Sequence, residues 1–263
     1  MEAIARFREH LRAGDVCLGV GITLSDPLVA DALANSVDFL WIDLEHTTRN
    51  PETLNGLLLA ARARGVPAIV RVTSSDTAFI KPVLDAGADG IVVPQIRSAV
   101  EVEQVVSDCR YPPLGRRGYG PRVPSDYGRD AGAGYVERAN KHLFVAVQIE
   151  TAEALAALDE ILSIPGLDSL VIGPWDLSGA LGHFCDVEHP EVVEAVRVII
   201  ARTRAAGLPV GAGMGLDADY AAVMIERGVQ WVQLGEDYSY LLRGVEQVVA
   251  SVRGRVAADS RSW

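Results

Sequence analysis

The chain has 263 residues, of which 49% are hydrophobic, enough to bury the core of one large domain or two small ones. Its formal net charge of −11 argues against a nucleic-acid backbone as partner and leaves any anionic substrate dependent on a few local cations. The three cysteines, Cys17, Cys109 and Cys185, form no CxxC or Cys/His pattern and imply no disulfide framework or zinc site. No apolar run approaches the roughly 20 residues that span a bilayer, so membrane insertion is not expected either.

In chain order, MEAIARFREHLRAGD has the spacing of an amphipathic helix and lacks the apolar h-region of a signal peptide, so the protein reads as soluble and cytoplasmic. Val16–Ile22 predicts a strand in which Gly19 and Gly21 mark a close approach to the backbone. Asp26 and Pro27 start a helix to Asn35, with acid at the N-cap and proline at the first helical position. The strand Val37–Ile42 delivers Asp43, Leu44, Glu45 and His46 into a loop, and Asn50-Pro51 opens a helix that Gly65 closes.

Pro67–Val70 is a strand ending in Arg71, followed by a helix from Asp76 to Ala86 and a strand at Gly90–Val93. Ser98 caps the helix Glu101–Cys109, and Tyr111–Tyr135 is a long loop rich in Gly, Pro and Arg, which in a compact domain is functional or mobile. Leu143–Ile149 and Ser169–Ile172 are buried strands flanking one helix, Glu153–Leu162, capped by Thr151. A short helix starts at Asp176, a connector carries His183 and His189, and Pro190 begins a helix to Ala206. The strands Leu208–Ala212 and Gln230–Leu234 bracket the helix Ala218–Arg227, and a helix from Tyr238 to about Val252 precedes a frayed tail, Arg253–Trp263.

Repeated buried strands, each with a helix after it and no linker-like shift in composition, predict an all-parallel sheet with helical cover. At this length that is a single (β/α)8 TIM barrel over residues 1–263. A doubly wound open sheet is the alternative, but no GxGxxG follows the first strand.

In a barrel the site lies at the C-terminal strand ends, and four of them carry suitable side chains: Asp43 with His46, Arg71, Gln148 with Glu150, and Asp176. By contrast, the ends of strands one, seven and eight are mostly glycine, with Thr23, Met214 and Glu236. Glu150 and Asp176 end consecutive strands of one right-handed β-α-β unit, so they reach the same rim. Two readings stay open there: hard oxygen ligands for Mg²⁺ or Mn²⁺, or two helix caps.

Asp43 and His46 form D-x-x-H, in which the carboxylate would fix the tautomer of an imidazole base; the alternative is a surface histidine. Arg71 ends an otherwise apolar strand and needs an anion, either substrate oxygen or an internal acid such as Asp43 or Glu45. Gly173-Pro174-Trp175-Asp176 offers backbone N–H groups to a small carboxylate. His10, His142, His183 and His189 read as structural.

These motifs together resemble one family. Trp41-Ile-Asp43-Leu-Glu45-His46, Tyr111-Pro-Pro-Leu-Gly115-Arg-Arg117-Gly118, Gln148-Ile-Glu150-Thr and Ile172-Gly-Pro-Trp-Asp176-Leu-Ser178 occur in the order and spacing of the HpcH/HpaI aldolases. More narrowly, the chain is similar to the class II pyruvate aldolases, from about Gly19 to about Gly244. The resemblance implies reversible cleavage of a 4-hydroxy-2-oxo acid to an aldehyde and pyruvate, through an enolate on a divalent cation (Mg²⁺, Mn²⁺ or Co²⁺). It assigns the metal to Glu150 and Asp176, the surroundings of the metal to Gln148 and the keto oxygen to Arg71. Proton transfer falls to His46 with Asp43, and the pyruvate carboxylate to the stretch Gly173, Pro174, Trp175 and Asp176 through its backbone N–H groups, of which Pro174 has none. It also implies a homo-hexamer, a trimer of dimers that exchange their last helix.

Leu44 in place of glycine, Trp175 in place of a small residue, and the unusual loop Tyr119–Gly128, which in relatives lies near the acceptor end, put the departures on the aldehyde side. Three rivals remain. An oxaloacetate-type decarboxylase would use the same enolate. An acyl-CoA lyase would need the basic residues Arg116, Arg117 and Arg122. A non-catalytic barrel subunit would show a lost ligand or dyad, yet every matched position is filled.

Overall fold

The computed structural model describes residues 1–259. Strand and helix alternate along them: α1 (Glu2–Ala13), β1 (Cys17–Ile22), α2 (Pro27–Ala34), β2 (Phe39–Asp43), α3 (Pro51–Arg64), β3 (Ala68–Arg71), α4 (Thr77–Ala86), β4 (Gly90–Val93) and α5 (Ala99–Cys109). The second half continues with α6 (Ala133–His142), β5 (Phe144–Ile149), α7 (Ala152–Ala156), α8 (Leu158–Leu162), β6 (Ser169–Ile172), α9 (Pro174–Ala180), α10 (Pro190–Ala205), β7 (Val210–Met214), α11 (Ala218–Glu226), β8 (Trp231–Glu236) and α12 (Asp237–Asp259). Among the described residues, eight strands pair in parallel and in sequence order, and β8 closes onto β1, giving the expected (β/α)8 TIM barrel.

The two-residue period of a strand decides what fills the barrel and what lines its mouth. Phe39 and Trp41 on β2, Ile69 on β3, Phe144 and Ala146 on β5, Val171 on β6 and Trp231 on β8 form the interior cluster. Continuing each alternation toward the C-terminal end reaches Asp43, Arg71, Gln148, Glu150, Gly173 and Gln233. The aromatic layer fits because small residues face it: a Cβ on Gly19 would meet Phe39 Cε1 at 2.6 Å, and one on Gly211 would meet Trp231 Cζ2 at 2.6 Å. The close approach expected at Gly19 is thus made by the protein's own ring. Phe7 of α1 seals the N-terminal end, edge-on to Phe39 and Phe144 with centroids 5.4 Å away in each case. A larger apolar layer lies between the strands and the outer helices.

Several local features differ from expectation. The expected loop Tyr111–Tyr135 runs into the first turn of α6, an unexpected helix that lacks a side-chain N-cap bond and begins after Gly132 at φ 84°, leaving no start signal to read. The helix after β5 is two short pieces, with Ala157 at φ −92° and ψ 13° between them. α9 starts at Pro174, which places Asp176 inside its first turn. α12 continues helical through Asp259 where fraying was expected from Arg253; the rest of that expected tail, residues 260–263, lies outside the described residues. The start of α12 is pinned by Asp237, whose carboxylate accepts from Thr23 N and Leu24 N at 3.0 and 2.8 Å. Among the described residues no helix is long and apolar enough to cross a membrane.

Candidate active site

At the end of β2, register places Asp43 directly beside Arg71 of β3. Arg71 Nε donates to Asp43 Oδ1 at 2.8 Å, and its Nη1 lies 3.1 Å from Glu45 Oε2. The guanidinium also lies over the Trp41 ring, 5.7 Å from its centroid. Burial pushes the Asp43 carboxyl up, but Arg71 and the N–H groups of Glu45 and His46 outweigh it and hold the group below its ordinary value. Burial also opposes the charge on Arg71, and Asp43 and Glu45 overcome that as well, keeping it firmly protonated.

The expected contact between Asp43 and the His46 imidazole is not made. Asp43 accepts from Glu45 N at 3.1 Å, from His46 N at 3.3 Å and from Arg71, so its oxygens are spent on folding the loop and holding the arginine. The acid beside the imidazole is Glu45, with Oε2 3.6 Å from His46 Nε2. Glu45 therefore bridges arginine and histidine instead of serving only as scaffold. The imidazole itself is 64% exposed at the mouth.

Glu150 sits just past β5, and its parallel neighbour β6 leads into Gly173 and α9. Glu150 is only 2% exposed. Gln95 donates to Oε1 twice, from the backbone at 2.7 Å and from Nε2 at 3.1 Å, while Gln148 Nε2 donates to Oε2. Gln95 adopts φ 56° to aim its N–H there, an uncommon backbone for a residue with a side chain. Burial, with the charges of Glu45 and Asp176 added, pushes the Glu150 carboxyl up to about 7 against the pull of Gln95 and Gln148.

Acids thus outnumber bases at this rim, and burial raises the Glu45 carboxyl too. Buried Gln148 Oε1 has no protein partner among the described residues. Gly173 lets both side chains pack against the backbone: a Cβ there would lie 2.6 Å from Gln148 Nε2 and closer still to Glu150 Oε2. Converging carboxylates with an orphaned carbonyl oxygen beside them form a donor set suited to a hard divalent cation.

A cavity of about 300 Å³ opens at the C-terminal end of the barrel, lined by Trp41, His46, Arg71, Gln148 and Gly173 through Asp176. The ends of β7 and β8, read from sequence as mostly glycine, also contribute through Met214, Gln233 and Glu236. Burial pushes the Glu236 carboxyl up. Asp176 borders this cavity and a second one that also touches Glu150, Gln95 and Phe184.

Gln95, Gln233 and the bridging role of Glu45 were missed by sequence reasoning. The positive φ of Gln95 has no signature in a Pro-Gln-Ile stretch, and Gln233 shows only as the polar residue in an apolar strand.

The loop Tyr119–Gly128 does not reach this mouth within its own chain. Arg62 donates to Val123 O at 3.4 Å, and Val123 and Pro124 approach Gly87, ahead of β4, so the loop covers the N-terminal side of the barrel. Two of the arginines that a CoA phosphate would need are engaged elsewhere, Arg116 with Asp108 and Arg117 with Asp85.

A closed (β/α)8 barrel with an anchored arginine, an exposed imidazole and converging carboxylates at the C-terminal rim defines an enzyme of the barrel class. The chain belongs to the HpcH/HpaI aldolase/citrate lyase family, whose sequence pattern matches residues 22–243. It is 36% identical over 260 residues to a hydroxypyruvate/pyruvate aldolase of Pseudomonas aeruginosa, covering 98% of this chain and 97% of that one. It is also 36% identical to a 4-hydroxy-2-oxo-heptane-1,7-dioate aldolase of Salmonella dublin, covering 93% of each. Among solved structures, a HpcH/HpaI aldolase/citrate lyase family protein of Burkholderia cenocepacia superposes with a TM-score of 0.89 at 31% identity, over 94% of this chain and 99% of that one. The chain is an aldolase, a carbon–carbon lyase.

Proposed function

We propose that this aldolase reversibly cleaves a 4-hydroxy-2-oxo acid to pyruvate and an aldehyde, with Glu150 and Asp176 holding a divalent cation such as Mg²⁺, Mn²⁺ or Co²⁺. The observation that carries the reading is the buried Glu150 carboxylate, pushed up by burial and by the charges of Glu45 and Asp176, beside the orphaned Gln148 Oε1. When bound, the cation supplies Lewis-acid polarisation of the 2-keto group and neutralises the converging carboxylates.

The chain's own residues do the rest. Backbone N–H groups of Trp175 and Asp176, in the first turn of α9, receive the substrate carboxylate. His46, exposed at the mouth and flanked by Glu45, accepts the proton of the 4-hydroxyl group. As the C3–C4 bond breaks, its electron pair moves toward the 2-keto oxygen and the aldehyde departs; the proton held by His46 is then returned to C3 of the enolate, which gives pyruvate and frees the base. Arg71, fixed by Asp43 and Glu45, presents its remaining N–H groups to the charge that develops on that oxygen. In the synthetic direction the same groups act in reverse.

Among the described residues of the site no lysine lines the cavity, which agrees with a mechanism that needs no Schiff base. The enzyme acts in the cytoplasm as a hexamer whose subunits exchange α12. Leu241, Leu242, Val245 and Val248 on that helix are all more than half exposed in the single chain. Pyruvate release from a panel of 4-hydroxy-2-oxo acids, after chelation and after restoring each ion, tests the reaction. Full activity after complete metal removal would refute the roles of Glu150 and Asp176, and release from oxaloacetate alone would replace aldol cleavage by decarboxylation.

A further inference from the structure

The connector between α9 and α10 carries a side-chain group that aldol cleavage does not use. His183 and His189 stack face to face, with ring centroids 3.3 Å apart and planes 15° apart. His183 Nε2 lies 2.6 Å from Glu191 Oε2, and Glu191 N donates to His189 Nδ1 at 3.3 Å, so His189 also caps α10. One ligand atom from each of the three residues lies within 4.8 Å of the others. The backbone holds them there: His183 N donates to Ser178 O at 2.7 Å, and Cys185 N to Ser178 Oγ at 3.1 Å.

At 2.6 Å from the Glu191 carboxylate, His183 Nε2 carries a proton that must leave before that nitrogen ligates an ion, so binding exchanges a proton for the metal. Two imidazoles and one carboxylate are the donor set of a borderline cation, and they leave a fourth position for water. A tetrahedral ion with bonds of about 2.0–2.2 Å needs ligand atoms roughly 3.3–3.6 Å apart, within reach of small side-chain rotations here. The oxygen-rich pair Glu150 and Asp176 prefers harder ions.

We propose that His183, His189 and Glu191 form a second divalent-metal site, selective for ions such as Zn²⁺ or Ni²⁺ and separate from the one at the barrel mouth. Ligation through His189 Nε2 leaves Nδ1 protonated, so the long capping bond from Glu191 N is given up. The ion then ties the connector to the first turn of α10 in its place.

The test uses the full chain stripped of metal by chelation, with Zn²⁺ as the probe in equilibrium dialysis. A Glu150→Gln/Asp176→Asn chain should retain one tightly bound equivalent that excess Mg²⁺ does not displace. Adding His183→Ala or His189→Asn to it should weaken that binding at least about tenfold; Asn preserves a helix-capping oxygen, so folding survives. Co²⁺ should show the visible bands of a four-coordinate site, lost in the same variants. Absence of the retained equivalent, or binding indifferent to both histidine changes, would overturn the site.

Discussion

Arg71 is held at both ends of its guanidinium edge, by Asp43 Oδ1 2.8 Å from Nε and by Glu45 Oε2 3.1 Å from Nη1. The first contact follows from strand register, since Asp43 and Arg71 are cross-strand partners, and the second from the turn that Asp43 itself folds. Two anchors fix the plane of the cation, and a fixed plane is what an oxyanion requires of it.

Asp43→Asn should therefore leave a folded barrel with a poorly aimed arginine. A misplacement of about 1 Å costs on the order of 100-fold in rate, and the loss is expected in kcat more than in KM. Steady-state pyruvate release, with circular dichroism as the folding control, measures it; an unchanged kcat would show that the second anchor suffices.

Gly173→Ala tests the space beside Glu150. The new methyl group would lie 2.6 Å from Gln148 Nε2, so the amide or the carboxylate has to shift. Affinity for the divalent cation and turnover are expected to fall together, by about 10–100-fold, with little change in thermal stability. Metal titration and activity of the same preparation would separate this outcome from a simple folding defect.

The Glu150 carboxyl, ordinarily near 4.5, is raised by burial to about 7 in the folded chain. In metal-free protein its contribution to stability is fully present below about pH 4.5 and is lost as pH rises through 7, because the unfolded chain releases this proton first. The loss is on the order of 3 kcal/mol. Urea denaturation at pH 5 and pH 8 should show wild type losing more stability than Glu150→Gln. Cation binding should strengthen over the same interval, since the proton must leave. Parallel pH profiles for the two proteins would contradict the assignment.

Trp231 is fully buried, donates from Nε1 to Ser169 Oγ at 2.9 Å, and packs against Phe7, Phe39, Trp41 and Phe144. Trp231→Ala opens a cavity in the barrel that its close-packed walls cannot refill, at a cost of about 3–5 kcal/mol. The midpoint of denaturation reads this directly, and a loss under 1 kcal/mol would mean the aromatic layer rearranges freely.

Where the chemistry depends on local pattern, the sequence is legible. Buried runs alternating with capped helices specify the barrel, and the period of two carries Phe39 and Trp41 to Asp43, and Phe144 and Ala146 to Gln148 and Glu150. Strand ends of the same parity must share one mouth, so the acids and the arginine could be named from the chain alone. α6 escaped notice because its start carries no capping side chain.

Partnership was decided only by the tertiary structure. Which acid meets the imidazole, Asp43 or Glu45, depends on how three competing donors divide one carboxylate. The hold of Gln95 on Glu150 depends on a left-handed residue in a different β/α unit. Met214 and Glu236 join the mouth only because β8 closes onto β1 and brings the last strands round to the first. Period and capping act over a few residues and are written in sequence order. Hydrogen-bond competition and ring closure act across the whole chain, and only the folded barrel resolves them.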